Sequence, residues 1–210
     1  GLFHTGKLAL AHLDPFWFTV VRYTGATMLL TALLIWQNGL HFSKIAGHTG
    51  HLLRCGLLGY GMFGIMVFIG LHQSLPSHGA VIMATMPLTT LFIKWAFDGQ
   101  KPQWWAWLAG LVALLGVSLV SGIWTQAHVG TSTLKGDAIA FVGTLVWILY
   151  TRGQQKTPHL QVIEYTAYTA ILAMPGLVLI ALGATALGYA HAPKLADLTH
   201  VIPVMSYIVV

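Results

Sequence analysis

The chain has 210 residues, of which 7% are charged and 56% apolar, with a mean hydropathy of +0.74. Soluble domains charge roughly a quarter of their residues, so this composition excludes a water-covered exterior and makes lipid the solvent for most of the surface. The net charge of +5 comes from Lys and Arg scattered singly without a basic stripe, which excludes nucleic acid and leaves membrane orientation as its explanation.

A helix crosses the hydrocarbon with about 20 apolar residues. In chain order, residues 1–11 read as the end of a first helix. Whole spans are expected over 16–36, 52–71, 79–97, 104–124, 138–151 and 162–183, and residues 201–210 read as the beginning of another helix. Both chain ends fall inside apolar runs and are expected to be cut from a longer protein. No cleavable signal peptide is visible. Residues 104–124 form the cleanest span, with Trp104, Trp105 and Trp107 at one end and Trp124 at the other, as an interfacial belt requires. Small residues recur at helix-face spacing, Gly56, Gly59, Gly61 and Gly64 in one span and Ala109, Ala113 and Gly116 in another, so close backbone packing is expected. Pro87 and Pro175 lie inside apolar runs as candidate helix breaks beside a pathway, with a plain kink as the alternative.

The connections alternate between two sides of the membrane. Lys44, Arg54, Lys94, Lys101, Arg152 and Lys156 fall on one side, Lys135 and Lys194 on the other. The basic-rich side is expected to be cytoplasmic, which also puts the N-terminus there.

Five residues are candidates for a pathway. Arg22 lies about 10 Å into its helix if Pro15 opens it. An intramembrane arginine faces a cavity, pairs with an acid or carbonyl, or snorkels to the interface. Glu164, at the start of a span, is a candidate partner for a proton or ammonium, or an interfacial carboxylate. His78 starts a helix, where its imidazole either senses pH along a pathway or makes a helix-start hydrogen bond. Trp147 and Tyr150, three apart on one helix face, either line an aromatic wall or pack against a neighbour. Lys94 and Asp98 read as a structural i,i+4 ion pair. The 11 histidines show no metal-ligand spacing, and the single Cys55 excludes a disulfide framework, so neither metal nor cofactor is expected.

Three stretches resemble the drug/metabolite transporter superfamily and its EamA-like repeat. Residues 7–22, KLALAHLDPFWFTVVR, are similar to the end of that family's first helix, its short loop ending in Pro15 and a second helix bearing the early Arg22. Residues 78–122 carry HGAV at 78–81, MPL at 86–88, the acidic turn at Asp98 and AWLAGLVALLGVSLVSG at 106–122. Gly136-Asp137 followed by Trp147 and Tyr150 resembles the opening of a second repeat. The family often has Glu where this chain has Asp98, which keeps the charge and shortens its reach. The resemblance implies an all-α polytopic membrane protein of two five-helix repeats, here a first repeat over 1–123, a loop over 124–135 and a partial second repeat over 136–210. Five is odd, so the second repeat should enter from the opposite side, giving an inverted-repeat bundle. The implied function is not enzymatic: a carrier in a bacterial-type inner membrane, exporting a small organic metabolite such as an amino acid by alternating access, with the lipid bilayer and the substrate as partners and a proton as candidate coupling ion. The alternatives are an intramembrane lipid or prenyl transferase, disfavoured by five scattered acids with no close pair, and a non-transporting membrane scaffold.

Overall fold

The computed structural model describes residues 13–37, 39–120 and 133–193, whose regular elements are all helical. α1 spans Pro15–Gln37, α2 Thr49–His72, α3 Pro76–Asp98, α4 Trp104–Val120, α5 Leu134–Gly153 and α6 Val162–Ala186. All but α4 are long and apolar enough to cross a membrane, and α4 is uncharged over its 17 described residues. The expected spans 16–36, 52–71, 79–97, 138–151 and 162–183 lie within these helices. α5 begins four residues earlier than its apolar run because its first turn takes in Lys135 and Asp137, where an acid is favoured by the helix dipole. The expected span 104–124 is described as far as Val120, while residues 1–11 with Lys7, and 201–210 and Lys194, lie outside the described residues.

Contacts fix the helix directions. α1 runs against α2, with Phe18 beside Phe68 at 4.5 Å and Tyr23 beside Tyr60 at 5.0 Å between ring centroids. α5 also runs against α2, since Gly153 sits at Cys55, Tyr150 at Tyr60 and Gly136 at Gly70. α6 runs against α1: Trp17 Nε1 donates to Thr185 Oγ1 at 2.9 Å at one end, and the His41 N–H donates to the Tyr168 hydroxyl at 2.9 Å at the other. These four helices enclose a core of Phe18, Leu34, Leu52, Ile148, Tyr165, Tyr168 and Leu177. α3 and α4 pack on each other, and α3 leans on α5. Large apolar side chains such as Met28, Trp36, Leu119 and Leu179 point outward, as a lipid-facing surface requires.

Glycines bring α2 against its neighbours. A Cβ at Gly70 would lie 2.6 Å from the Gly136 carbonyl oxygen, and one at Gly136 would lie 2.7 Å from the Gly70 carbonyl oxygen, so backbone rests on backbone there. The middle of α2, Leu57–Met62, winds as a π-helix, and the Phe63 N–H reaches the Leu58 carbonyl five residues back. α3 is interrupted at Thr85, between helical stretches Pro76–Ala84 and Met86–Asp98, two residues before Pro87. Pro87 has no N–H to return to the preceding turn, and the Thr85 hydroxyl donates to the Ile82 carbonyl at 2.6 Å beside the break. Pro175, in contrast, is exposed within an α6 that continues through it. α3 stops at Gly99, whose φ of 64° is a left-handed conformation that glycine adopts without strain.

The bundle therefore has two ends. One carries the end of α1, the start of α2, the end of α3, the end of α5 and the start of α6, and with them Lys44, Arg54, Lys94, Asp98, Lys101, Arg152, Lys156 and Glu164. The other carries Asp14, Ser74, His78, Lys135, Asp137 and Thr185.

Candidate functional site

The centre of the bundle is an aromatic and hydroxyl cluster built on the π-helical stretch of α2. The extra residue in that turn carries Tyr60 to the junction of α1, α5 and α6. Its hydroxyl donates to the Thr166 carbonyl at 3.1 Å and meets the Tyr150 hydroxyl at 2.8 Å. Since the Tyr60 proton is committed to Thr166, Tyr150 is the donor between the two tyrosines. Tyr150 also lies 3.3 Å from Thr169 Oγ1 and stacks on Tyr165 at 5.3 Å. Gly59 leaves the space that the Tyr150 ring occupies, because a Cβ there would lie 2.5 Å from the ring. Trp147 is half-buried between Phe63 at 4.8 Å and Tyr150 at 5.0 Å. Arg22 joins from α1, with its guanidinium carbon 4.8 Å from the Tyr23 ring centroid and 5.8 Å from that of Phe68, within cation–π range of both rings. Arg22 Nε is buried without a hydrogen-bond partner among the described residues.

At one end of the bundle, Asp137 in the first turn of α5 is held twice. Ser74 Oγ donates to its Oδ1, and His78 Nδ1, in the first turn of α3, lies 2.9 Å from its Oδ2. The His78 side chain is 6% exposed, and its Nε2 is buried without a partner among the described residues. Beside Asp137, between α2, α3 and α5, is a cavity with room for about one water.

At the opposite end two further ion pairs form. Lys44 Nζ lies 2.6 Å from Glu164 Oε1, and Glu164 Oε2 accepts the Gln161 N–H at 2.9 Å, closing a capping box on α6. Glu164 is buried while Lys44 is half exposed, and the hydrogen bond to Glu164 holds the Lys44 ammonium above the usual lysine range. Arg152 grips Asp98 at two points, 2.7 and 2.6 Å. Asp98 is thus paired across helices, where the local pattern suggested Lys94: a guanidinium fork matches both carboxylate oxygens, whereas the Lys-to-Asp order along a helix is the weak one.

The structure brings Arg22, Trp147 and Tyr150 into one cluster, linked through Tyr23 and Tyr60, and separates His78 and Glu164 to opposite ends. Sequence reasoning passed over Tyr60, Ser74, Lys44 and the side chain of Asp137. A signal for Tyr60 lay in the glycines around it, since small residues flanking one large polar ring leave room for a partner ring. Along the outer face of α2, Arg54, Leu58, Met62 and Ile65 recur at helical spacing and, with Phe16 and Ile180, line an open apolar groove of about 650 Å³. Among the described residues no three His, Cys, Asp or Glu side chains converge as a metal site would need.

The comparisons agree with this architecture. YrdR of Bacillus subtilis (strain 168), described as an uncharacterized transporter, is 26% identical over 204 residues, covering 92% of this chain and 62% of the relative. YyaM of the same organism, also described as an uncharacterized transporter, is 25% identical over 185 residues, covering 86% and 60%. An uncharacterized transporter of Archaeoglobus fulgidus is 26% identical over 147 residues, covering 69% and 49%. The chain thus spans about three fifths or less of the length of these relatives. No solved structure gives a significant match. The EamA-like transporter family matches residues 2–122, more than half of the 210, and this multi-pass chain of apolar helices belongs to that family.

Proposed function

We propose that this chain forms the larger part of a secondary carrier that exports a small organic metabolite, such as an amino acid or a related compound, by alternating access between two inverted halves, residues 1–123 and 136 onward. One observation carries the reading: each of the three ion pairs among the described residues joins the first half to the second, Lys44 to Glu164 and Arg152 to Asp98 at one end, His78 to Asp137 at the other. A carrier needs such ties at both ends, because closing one end while opening the other is its working cycle. The directions of α1 and α6 fit the inversion, since each is the second helix of its half and the two run opposite ways. The π-helical turn in α2 and the break in α3 are the kinds of irregular backbone that membrane carriers place beside a pathway. Arg22, Trp147, Tyr150 and Tyr60 are then the polar and aromatic groups nearest the substrate. The end bearing Lys44, Arg54, Lys94, Lys101, Arg152 and Lys156 faces the cytoplasm of a bacterial-type inner membrane by the positive-inside rule.

The test is flux in proteoliposomes containing the full-length protein, across amino acids, nucleobases and cationic drugs. Expected is saturable movement of at least one class, reduced at least tenfold by Arg22→Ala. Uniform absence of flux refutes the reading.

A further inference from the structure

We propose that Ser74, His78 and Asp137 form a proton-binding site that holds its end of the molecule shut, so that loss of the His78 proton loosens that end; the coupling role rests on the alternating-access reading above. Three observations carry it. First, the contact spans the two halves, with His78 on α3 and Asp137 on α5, while Ser74 in the connection between α2 and α3 takes the other carboxylate oxygen. Second, imidazole is the side chain that changes charge near neutral pH. With its proton, His78 faces Asp137 as an ion pair; without it, only a neutral hydrogen bond remains. Third, both ring nitrogens are closed off: Nδ1 is engaged by Asp137, and Nε2 is buried away from solvent without a partner among the described residues. Among the described residues the His78 ring meets solvent through its one partner, Asp137, whose side chain is 21% exposed, so gain or loss of the imidazole proton acts directly on the contact that ties α3 to α5.

No other charge competes at the site among the described elements packed there. α4 has no ionisable side chain between Trp104 and Val120, α2 offers at this end only the exposed His72, and α5 adds the exposed Lys135. The other end of the molecule is tied by Lys44–Glu164 and Arg152–Asp98 and has histidines of its own, with His159 at the Lys44 carbonyl, His51 at the Gly153 carbonyl and His48 beside His159, so its pH response is separated from that of His78 by substitution. Lowering the pH should thus tighten the His78 end through the His78–Asp137 contact, and raising it should loosen that end.

The experiment is amide hydrogen exchange, read by mass spectrometry, on the full-length protein in lipid nanodiscs between pH 5 and 8, corrected for intrinsic exchange. Expected is a fall in protection of at least tenfold as pH rises, in peptides covering residues 70–80 and 134–140, while peptides covering 41–48 and 161–168, which include or adjoin His41, His48 and His159, should exchange alike in the wild type and in His78→Gln. His78→Gln should remove the response and Ser74→Ala should retain it in weakened form. The wild-type comparison decides by itself if His78→Gln fails to fold: protection at the His78 end that is flat with pH overturns the site, as does an unaltered response in a folded His78→Gln protein. Flux in proteoliposomes with flat protection removes the proton site and leaves the carrier standing. A pH response without flux of any class removes the carrier reading and the coupling with it.

Discussion

Replacing Gly70 by alanine tests whether the seam between α2 and α5 is set by backbone contact. The new Cβ would lie 2.6 Å from the Gly136 carbonyl oxygen, 2.8 Å from Ala140 Cβ and 2.9 Å from the Ala140 nitrogen. None of these atoms ends a side chain that could rotate aside, so the helices must separate by about 0.8 Å to restore ordinary contact at 3.4 Å. A gap of that size forfeits a quarter to a half of the dispersion energy of each contact it opens, and overpacking of this kind costs about 1–3 kcal/mol. The rigid neighbours put this case near 3 kcal/mol, and the better helix propensity of alanine returns about 1. The net expectation is a loss of about 2 kcal/mol, roughly 30-fold in the folding equilibrium. The control is Gly183→Ala on α6, where a Cβ meets nothing within 4 Å and the same propensity gain should leave the protein unchanged or up to about 1 kcal/mol more stable. Unfolding of the detergent-solubilised protein in increasing SDS, followed by tryptophan fluorescence, measures both. Equal midpoints for Gly70→Ala and Gly183→Ala would refute the steric argument.

Tyr60→Phe and Tyr150→Phe, singly and together, should show a coupling of about 0.5–1.5 kcal/mol in a double-mutant cycle of SDS unfolding, because each removes one side of the hydroxyl pair; additive losses would mean that the two hydroxyls do not interact. Glu164→Gln should keep the capping box through its amide oxygen, lose the Lys44 ion pair, and expose the chain's one cysteine: Cys55, buried near this end beside His51 and Gly153, should react with a maleimide at least tenfold faster than in the wild type. An unchanged labelling rate would show that the pair does not hold this end closed. Lys44 gains a partner and its folded-state pKa is raised, so the stabilisation from this pair is fully present below the ordinary lysine value and is lost as pH rises through the raised one. The labelling rate of the wild type, corrected for thiol ionisation, should therefore stay level from pH 6 to 9, and a rise within that window would contradict the assignment.

What could be read from the sequence was whatever depends on neighbours along the chain. Uncharged runs of about 20 residues located the spans, and the distribution of Lys and Arg separated the two ends as the helices do. The glycines of α2 announced close packing. Pairings across the bundle were not legible, because the partners lie 54, 59 and 120 residues apart. Asp98 shows the difficulty: its nearest cation in sequence is Lys94, yet the interhelical fork of Arg152 holds it. The Gly136-Asp137 pair entered the reading only as a familiar opening, and the fold supplies its chemistry, with the glycine seating α5 on the α2 backbone and the aspartate receiving Ser74 and His78. Glu164 was visible as an acid at a helix start, but its lysine sits in a short 3-10 turn after α1 that apolar periodicity does not register.

The glycine seam has a kinematic consequence. A helix that rests on its neighbour through side chains can slide by changing rotamers, but α2 touches α5 through bare backbone at Gly70 and Gly136, where there is no side chain to rearrange. α2 and α5 thus form a stiff spine, whereas α3 beyond Thr85 buries none of its residues fully and is held to α5 at its far end by the Arg152–Asp98 fork. Any swing of that outer segment about Thr85 must first free Asp98 from Arg152, so the fork is the latch on a leaf whose hinge is the interrupted turn.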